Sequence, residues 1–289
     1  MTIEVLFEDA DLVVINKPAG MVVNRARSAV GKTIQDWMEA RYQLADRGAY
    51  KKQEADKNWW SLVPESFDSN YGQPEEIFFE RSGMVHRLDK NTSGILVLAK
   101  NPGAMLALMA QFQQRQVQKT YTCLVHGSFV QDKDVIRLPI ARLVRNRQRF
   151  AVMAEGRPAE TEFGVQQRYQ FDEQKLLAVV KAKGNAKIES DIKAKLRLYA
   201  GFSLIECYPK TGRTHQIRVH LAHFQHPLVG DELYVGKKRY KLDQLWCPRQ
   251  FLHASQLVLH HPRTTEQLTF KAPLAADLTE ALTYLINQA

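Results

Sequence analysis

Short apolar runs separated by polar turns dominate the chain, with few stretches of helical period. Ile3 to Phe7 alternates and gives way to Glu8-Asp9-Ala10-Asp11, which reads as a strand and its turn. Leu12 to Ile15 is a second apolar strand, closed by Asn16-Lys17-Pro18-Ala19-Gly20, a hairpin connection whose Pro and Gly expose Lys17. Thr33 to Tyr42 has helical spacing, with Ile34, Trp37 and Met38 on one face. From Gln43 to Arg81 neither period persists, so this stretch reads as a long loop. Its Trp59-Trp60 pair, among lysines, suits either stacking on bases or anchoring the loop to the body.

Ile95 to Ala99 is a compact Ile/Val/Leu run that predicts a buried strand. Asn101-Pro102 is a helix start, with Asn as cap and Pro at the first position, and the helix is expected to reach about Gln116. Lys119 to Gly127 reads as a strand placing Tyr121, Cys123 and Val125 on one side. Ile136 to Val152 contains Arg142, Arg145, Arg147 and Arg149, and Ala159 to Tyr169 alternates weakly as another strand. Gly184 to Ala200 is a lysine-rich insertion with traces of helical spacing. Phe202 to Tyr208 predicts a strand, followed by a turn at Pro209-Lys210-Thr211-Gly212. A helix capped by Thr214 then runs to about Phe224, with Ile217, His220, Leu221 and Phe224 on one face. Ala276 to Asn287 predicts a terminal helix. The order of many short strands with few helices is compatible with an α+β class.

Composition narrows the choices. With 289 residues, 45% hydrophobic and 25% charged, the chain has material for a sizeable core. Forty Lys+Arg against 31 Asp+Glu leave +9, which favours a polyanionic partner without specifying it. Three cysteines, Cys123, Cys207 and Cys247, are far apart, so neither a disulfide framework nor a cysteine zinc site is supported. The acidic N-terminus lacks the marks of a signal peptide, and no apolar run approaches the ~18 residues of a membrane span. The expectation is a cytoplasmic protein off the membrane, with no obligate protein partner evident.

Several groups carry chemistry. His86-Arg87-Leu88-Asp89-Lys90, followed by the turn Thr92-Ser93-Gly94, presents a carboxylate on a loop at the mouth of the buried strand. Arg87 and Lys90 favour its charged form; a routine surface turn with ion pairing fits the same residues. The spaced arginines of 142–149 suit a phosphate-contacting hairpin or a solvated basic face equally. Tyr121 by itself is a cross-strand packing residue. His215, His220, His223 and His226 lack a carboxylate at ligand spacing and an H-E-x-x-H, so no metal site is expected.

The nine residues HRLDKNTSG resemble the catalytic signature of the Rlu-type pseudouridine synthases, which isomerise uridine in ribosomal or transfer RNA. The resemblance implies that Asp89 is the catalytic carboxylate and that Arg87 helps to extrude the target nucleotide. N-K-P-A-G is similar to the family's first motif, which places Lys17 near the site. K-x-Y-x-x-x-V-x-G is similar to the motif whose tyrosine lies against the target base, here Tyr121. T-G-R-T-H-Q-I-R-V-H-L-A and H-P-L-V-G-D-E-L-Y resemble the third conserved block, whose arginine, here Arg213, pairs with the catalytic aspartate and is followed by His215. Arg145 and Arg147 would join Lys17, Arg87 and His215 in binding substrate. The resemblance further implies the pseudouridine synthase fold, a mixed, mostly antiparallel sheet with flanking helices and a central RNA-binding cleft. It implies one catalytic domain over 1–289, with insertions near 43–81 and 184–200 and without the separate N-terminal RNA-binding domain of some relatives.

The implied reaction breaks the bond between ribose and base nitrogen, rotates the uracil and rejoins it through carbon 5. No electrons or phosphates move, so no cofactor is called for, in keeping with a sequence lacking a P-loop and a G-x-G-x-x-G. One carboxylate suffices, as nucleophile at the sugar or as base upon it. The other readings are an inactive RNA-binding or chaperone module on the same scaffold, and a carboxylate-dependent hydrolase, which would need a second acid near Asp89.

Overall fold

The computed structural model describes residues 3–25, 31–48, 50, 58–182 and 199–288. Strands β1 (Glu4–Glu8) and β2 (Leu12–Lys17) precede helix α1 (Ile34–Tyr42), helix α2 (Pro74–Arg81), strand β3 (Ser93–Ala99) and helix α3 (Pro102–Gln113). Strands β4 (Gln118–His126), β5 (Lys133–Arg137), β6 (Ile140–Arg142), β7 (Phe150–Val152) and β8 (Glu160–Phe171) follow, then helix α4 (Glu173–Ala182). The remainder is β9 (Phe202–Pro209), α5 (Gln216–His223), α6 (Lys237–Asp243), β10 (Leu252–His260), β11 (Gln267–Lys271), α7 (Ala276–Leu282) and β12 (Leu285–Asn287). The chain divides into two compact units, one of 1–118 with 254–272 and one of 119–253 with 273–289.

The first unit is built on the order β1-β2-β3-β10, with β11 pairing β10. Strands β2 and β3 are antiparallel from Leu12↔Ala99 to Lys17↔Gly94, and every residue of β3 is buried. The apolar run Ile95–Ala99 is what a central position covered on both faces requires. The α1 helix starts on Thr33, whose hydroxyl and backbone share a capping box with Asp36. Ile34 and Met38 are buried beneath it, whereas Trp37 is only half-buried and meets the ring of Tyr42 edge-on at 6.4 Å. Asn101 caps α3 as its sequence requires, accepting from the Ala104 amide at 2.8 Å. That helix closes at Gln113, three residues short of expectation, where Arg115 turns left-handed.

The stretch 43–81 departs from the loop reading. Pro74 opens α2 from its first position and Gln73 closes a capping box with Glu76, so the proline starts a helix rather than breaking one. The two tryptophans stack at 4.0 Å and divide their roles: Trp59 is 5% exposed and anchors the loop, while Trp60 is 57% exposed.

In the second unit the order is β4-β9-β8-β12, with β5 along β8, and the β6–β7 hairpin stands as a separate two-stranded sheet. One core cluster gathers Cys123, Val125, Phe163, Ile205 and Leu221, and another Leu124, Phe202, Trp246, Phe251 and Leu278. The α5 helix begins later than predicted. Thr214 does not cap it; His215 occupies the cap in a left-handed conformation (φ 56°), and Phe224 is exposed rather than inward. The terminal segment is not one helix. It stops at Leu282, and Leu285 to Asn287 form β12 against β8, Leu285 opposite Phe171. The charged insertion of 184–200 falls, save its last two residues, outside the described residues.

Candidate active site

The loop before β3 is fixed from three directions within the first unit. The side chain of Leu88 is buried at 5% exposure, while its neighbours Arg87 and Lys90 are exposed and Asp89 is half-buried. His86 stacks on Phe112 at 4.7 Å, and its Nε2 accepts the Val97 amide at 3.0 Å, tying the loop to β3 and α3. The third tie is Lys17. Its ammonium is fully buried and donates to the carbonyls of Pro18 (2.8 Å), Met21 (2.9 Å) and Lys90 (3.2 Å). The Gly20 amide also donates to the Lys90 carbonyl, at 2.8 Å. An ammonium has three protons to give, and three backbone carbonyls converge on this one. The expectation that the turn exposes Lys17 is therefore corrected: its buried ammonium ties the Asn16–Gly20 turn to the loop holding Asp89. Thr92 and Ser93 are buried, and Gly94 (φ 109°) lies so close to β10 that a Cβ there would stand 2.2 Å from the Ala254 carbonyl oxygen. The result is a half-buried carboxylate on a backbone that has little freedom to move.

Within the second unit, Tyr121 is half-buried on β4 opposite Cys207 of β9 and packs on the cluster around Cys123. Two residues earlier and on the same face of the strand stands Lys119, whose pKa is brought down to about 8 by burial and by the nearby charge of Lys210. The turn carrying Arg213 is held by Gln216, a buried amide that fills both of its polar ends. Its Oε1 accepts from the Thr211 hydroxyl (2.6 Å) and the Arg213 amide (3.0 Å), and its Nε2 donates to the Glu160 carbonyl (2.9 Å) and the Thr161 hydroxyl (3.0 Å). The Arg213 guanidinium is aimed in turn by the Pro158 carbonyl, which accepts from Nε at 3.1 Å. Arg145 and Arg147 are exposed at the tip of the β6–β7 hairpin. The histidines have structural partners: His220 lies 2.9 Å from both the Thr161 hydroxyl and the Leu138 carbonyl, and His226 stacks on Phe129 at 3.9 Å.

A family model described as RNA pseudouridylate synthase matches residues 11–223. The chain belongs to that family of isomerases. An uncharacterized RNA pseudouridine synthase of Bacillus subtilis is 32% identical over 98% of this chain and 72% of its own length. Ribosomal large subunit pseudouridine synthase D of Nitrosomonas europaea is 32% identical over 99% of this chain and 66% of that protein, which supports the Rlu type. This chain thus spans roughly two thirds of the length of these curated relatives. The solved structure of human RNA pseudouridylate synthase domain containing 4 covers 98% of this chain and 94% of that one, with a TM-score of 0.61 at 22% identity, and shows the same fold. The mixed, mostly antiparallel sheet with flanking helices expected from the resemblance is thereby the fold of this protein. None of these comparisons favours an inactive module over the enzyme.

Of the residues expected from the sequence, Lys17, Arg87 and Asp89 fall in the first unit, and Tyr121, Arg145, Arg147, Arg213 and His215 in the second. Two residues escaped the sequence reading. Gln216 was visible only as the last letter of G-R-T-H-Q, and Lys119 as the first of K-x-Y; neither letter announces a buried amide hub or a lysine with a lowered pKa.

Proposed function

We propose that this chain converts specific uridines in ribosomal RNA to pseudouridine in the cytoplasm, without a cofactor or an obligate protein partner. Asp89 is its catalytic carboxylate, and Tyr121 and Arg213 take the roles that their motifs carry. Both units belong to one catalytic domain, a reading supported by a family match that runs through 11–223. The observation that carries the proposal is the loop of 86–94. Leu88 is buried and Lys17 and His86 grip the backbone, so that Asp89 is offered half-buried at a fixed place. Preorganisation of this kind is what a single carboxylate needs to act at the sugar. In the reaction the bond from C1′ to N1 of uracil breaks, a bond from C1′ to C5 forms, the proton leaves C5, and N1 takes up a proton. The target nucleotide must leave its stack for this, which is the part proposed for the exposed Arg87. Ribosomal RNA is favoured over transfer RNA by the names of relatives such as synthase D of Nitrosomonas europaea.

Asp89→Asn tests the proposal, since it keeps the size of the side chain but replaces the reacting carboxylate with a neutral amide. Product formed on unmodified large-subunit ribosomal RNA should fall by at least about a thousandfold, with RNA affinity within a few-fold of wild type. Near wild-type turnover by the variant would end the assignment.

A further inference from the structure

Tyr234 closes the H-P-L-V-G-D-E-L-Y block, and its ring and its hydroxyl serve different neighbours. The hydroxyl oxygen accepts the amide of Phe150 at 3.0 Å, where β7 begins, and lies 3.0 Å from Nδ1 of His215, two residues beyond Arg213. One oxygen therefore joins the base of the arginine hairpin to the Arg213–His215 turn. The ring carries two guanidinium groups, Arg218 at 5.2 Å and Arg149 at 5.4 Å from its centroid.

The two cations differ in how their charge is met. Arg218 is buried against Asp231 in a two-pronged pair at 2.7 and 2.9 Å. Asp231 also accepts the amides of Leu233 (3.0 Å) and Tyr234 (3.3 Å), so the same pair fixes the tyrosine backbone. Arg149, by contrast, forms no ion pair among the described residues, and its Nε is buried without a hydrogen-bond partner. Burial pushes the Tyr234 hydroxyl pKa up, so the tyrosine stays neutral and supplies no counter-charge. A cation held on an aromatic face with its charge unmatched has already lost side-chain entropy and part of its hydration. An anion arriving there pays little further ordering entropy and meets a charge already partly stripped of water. On the same hairpin, Arg142 is set over the ring of Phe150 at 5.2 Å in a similar way.

We propose that Tyr234 is a positioning residue: its ring holds Arg149 ready for a phosphate of the RNA backbone, and its hydroxyl keeps the hairpin in register with the Arg213–His215 turn. The ligand class is a phosphodiester, which matches the planar fork of arginine. This inference rests on RNA being the substrate, as proposed above. It differs in assigning a phosphate grip to the stacked Arg149 and not only to the exposed arginines at the hairpin tip.

The experiment measures binding of an unmodified large-subunit ribosomal RNA transcript across a salt series, together with single-turnover pseudouridine formation. Arg149→Ala should weaken binding by about fivefold to tenfold and lower the salt-dependence slope by roughly 0.7–0.9, the share of one phosphate contact. Tyr234→Leu should reproduce both effects, and adding Arg149→Ala to it should cost little more, since the ring acts through the arginine. Tyr234→Phe keeps the ring, so affinity and slope should hold while single-turnover product formation slows by about tenfold. Wild-type affinity and slope for Arg149→Ala overturn the proposal, and so do additive losses in the double variant. Should Tyr234→Leu fail to fold, the slope of Arg149→Ala and the rate of Tyr234→Phe decide the matter. If the wild-type protein binds RNA but forms no pseudouridine, the isomerase reading falls and the binding measurements still judge Arg149.

Discussion

Two lysines define the residue scale, because each sits where a lysine ordinarily does not. Lys17 is wholly buried against backbone carbonyls, one of them from Lys90 far along the chain. That partner is invisible in the local sequence, which is why a Pro-Gly turn suggests exposure. Lys119 is easier to test. Its pKa falls from 10.5 to about 8 through burial and the charge of Lys210, so the folded state gives up a proton that the unfolded chain still holds. Between about pH 8 and pH 10.5 the unfolded state binds more protons, and stability must rise with pH across that window. Compared with Lys119→Met, which has no such group, the wild-type protein should gain stability as pH climbs from 8 to 10.5. Urea unfolding of both proteins measures it, and a constant difference would place Lys119 in water. The Asp89 loop stands out in the sequence for the opposite reason: its motif is nine contiguous residues, although the Lys17 and Ala254 contacts that hold it lie far along the chain.

At the scale of elements, apolar runs and the Asn101 cap are legible in the sequence, whereas elements that depend on distant pairing or on a proline start are not. The buried strand at Ile95 and the Asn101 cap emerged where apolar runs and capping chemistry placed them. Helix α2 is hidden in the sequence because Pro74 reads as a breaker, although proline at a first helical position costs nothing. Strand β12 is hidden because pairing with β8, over a hundred residues earlier, leaves no local period. The Ser93-Gly94 entry to β3 shows how tightly such contacts bind an element in place. Gly94 is left-handed and its α-carbon faces the Ala254 backbone, while Gly20, also left-handed at φ 84°, has nothing within 4 Å of the place a Cβ would take. Gly20→Ala should therefore cost only the conformational strain, about 1 kcal/mol. Gly94→Ala adds a clash with backbone and should cost about 3 kcal/mol or more, with loss of activity as β3 and its loop shift. Denaturant midpoints separate the two; equal costs would mean that the sheet yields around Gly94.

On the scale of the whole molecule, charge is the property most directly read from sequence, and it is also the one least specific about partner. The excess of +9 suits any polyanion. What narrows it is the family match together with the placement of arginines on the β6–β7 hairpin, where Arg145 and Arg147 stand exposed at the tip. The sequence left a phosphate grip and a solvated basic face equally open at these positions, since both give the same residues. Salt separates them. If the tip arginines contact phosphates, each releases counterions on binding, and the logarithm of the affinity falls with the logarithm of salt by roughly 0.7–0.9 per contact. The double variant Arg145→Ala/Arg147→Ala should then bind unmodified large-subunit ribosomal RNA more weakly at low salt and with a slope shallower by about 1.4–1.8. At high salt its affinity should approach that of the wild-type protein, because the lost term is the one that salt suppresses. Single-turnover rates at saturating enzyme should change little, since neither side chain belongs to the loop that holds Asp89. A slope unchanged from wild type would assign the hairpin tip to a solvated face and leave the grip to arginines elsewhere in the chain.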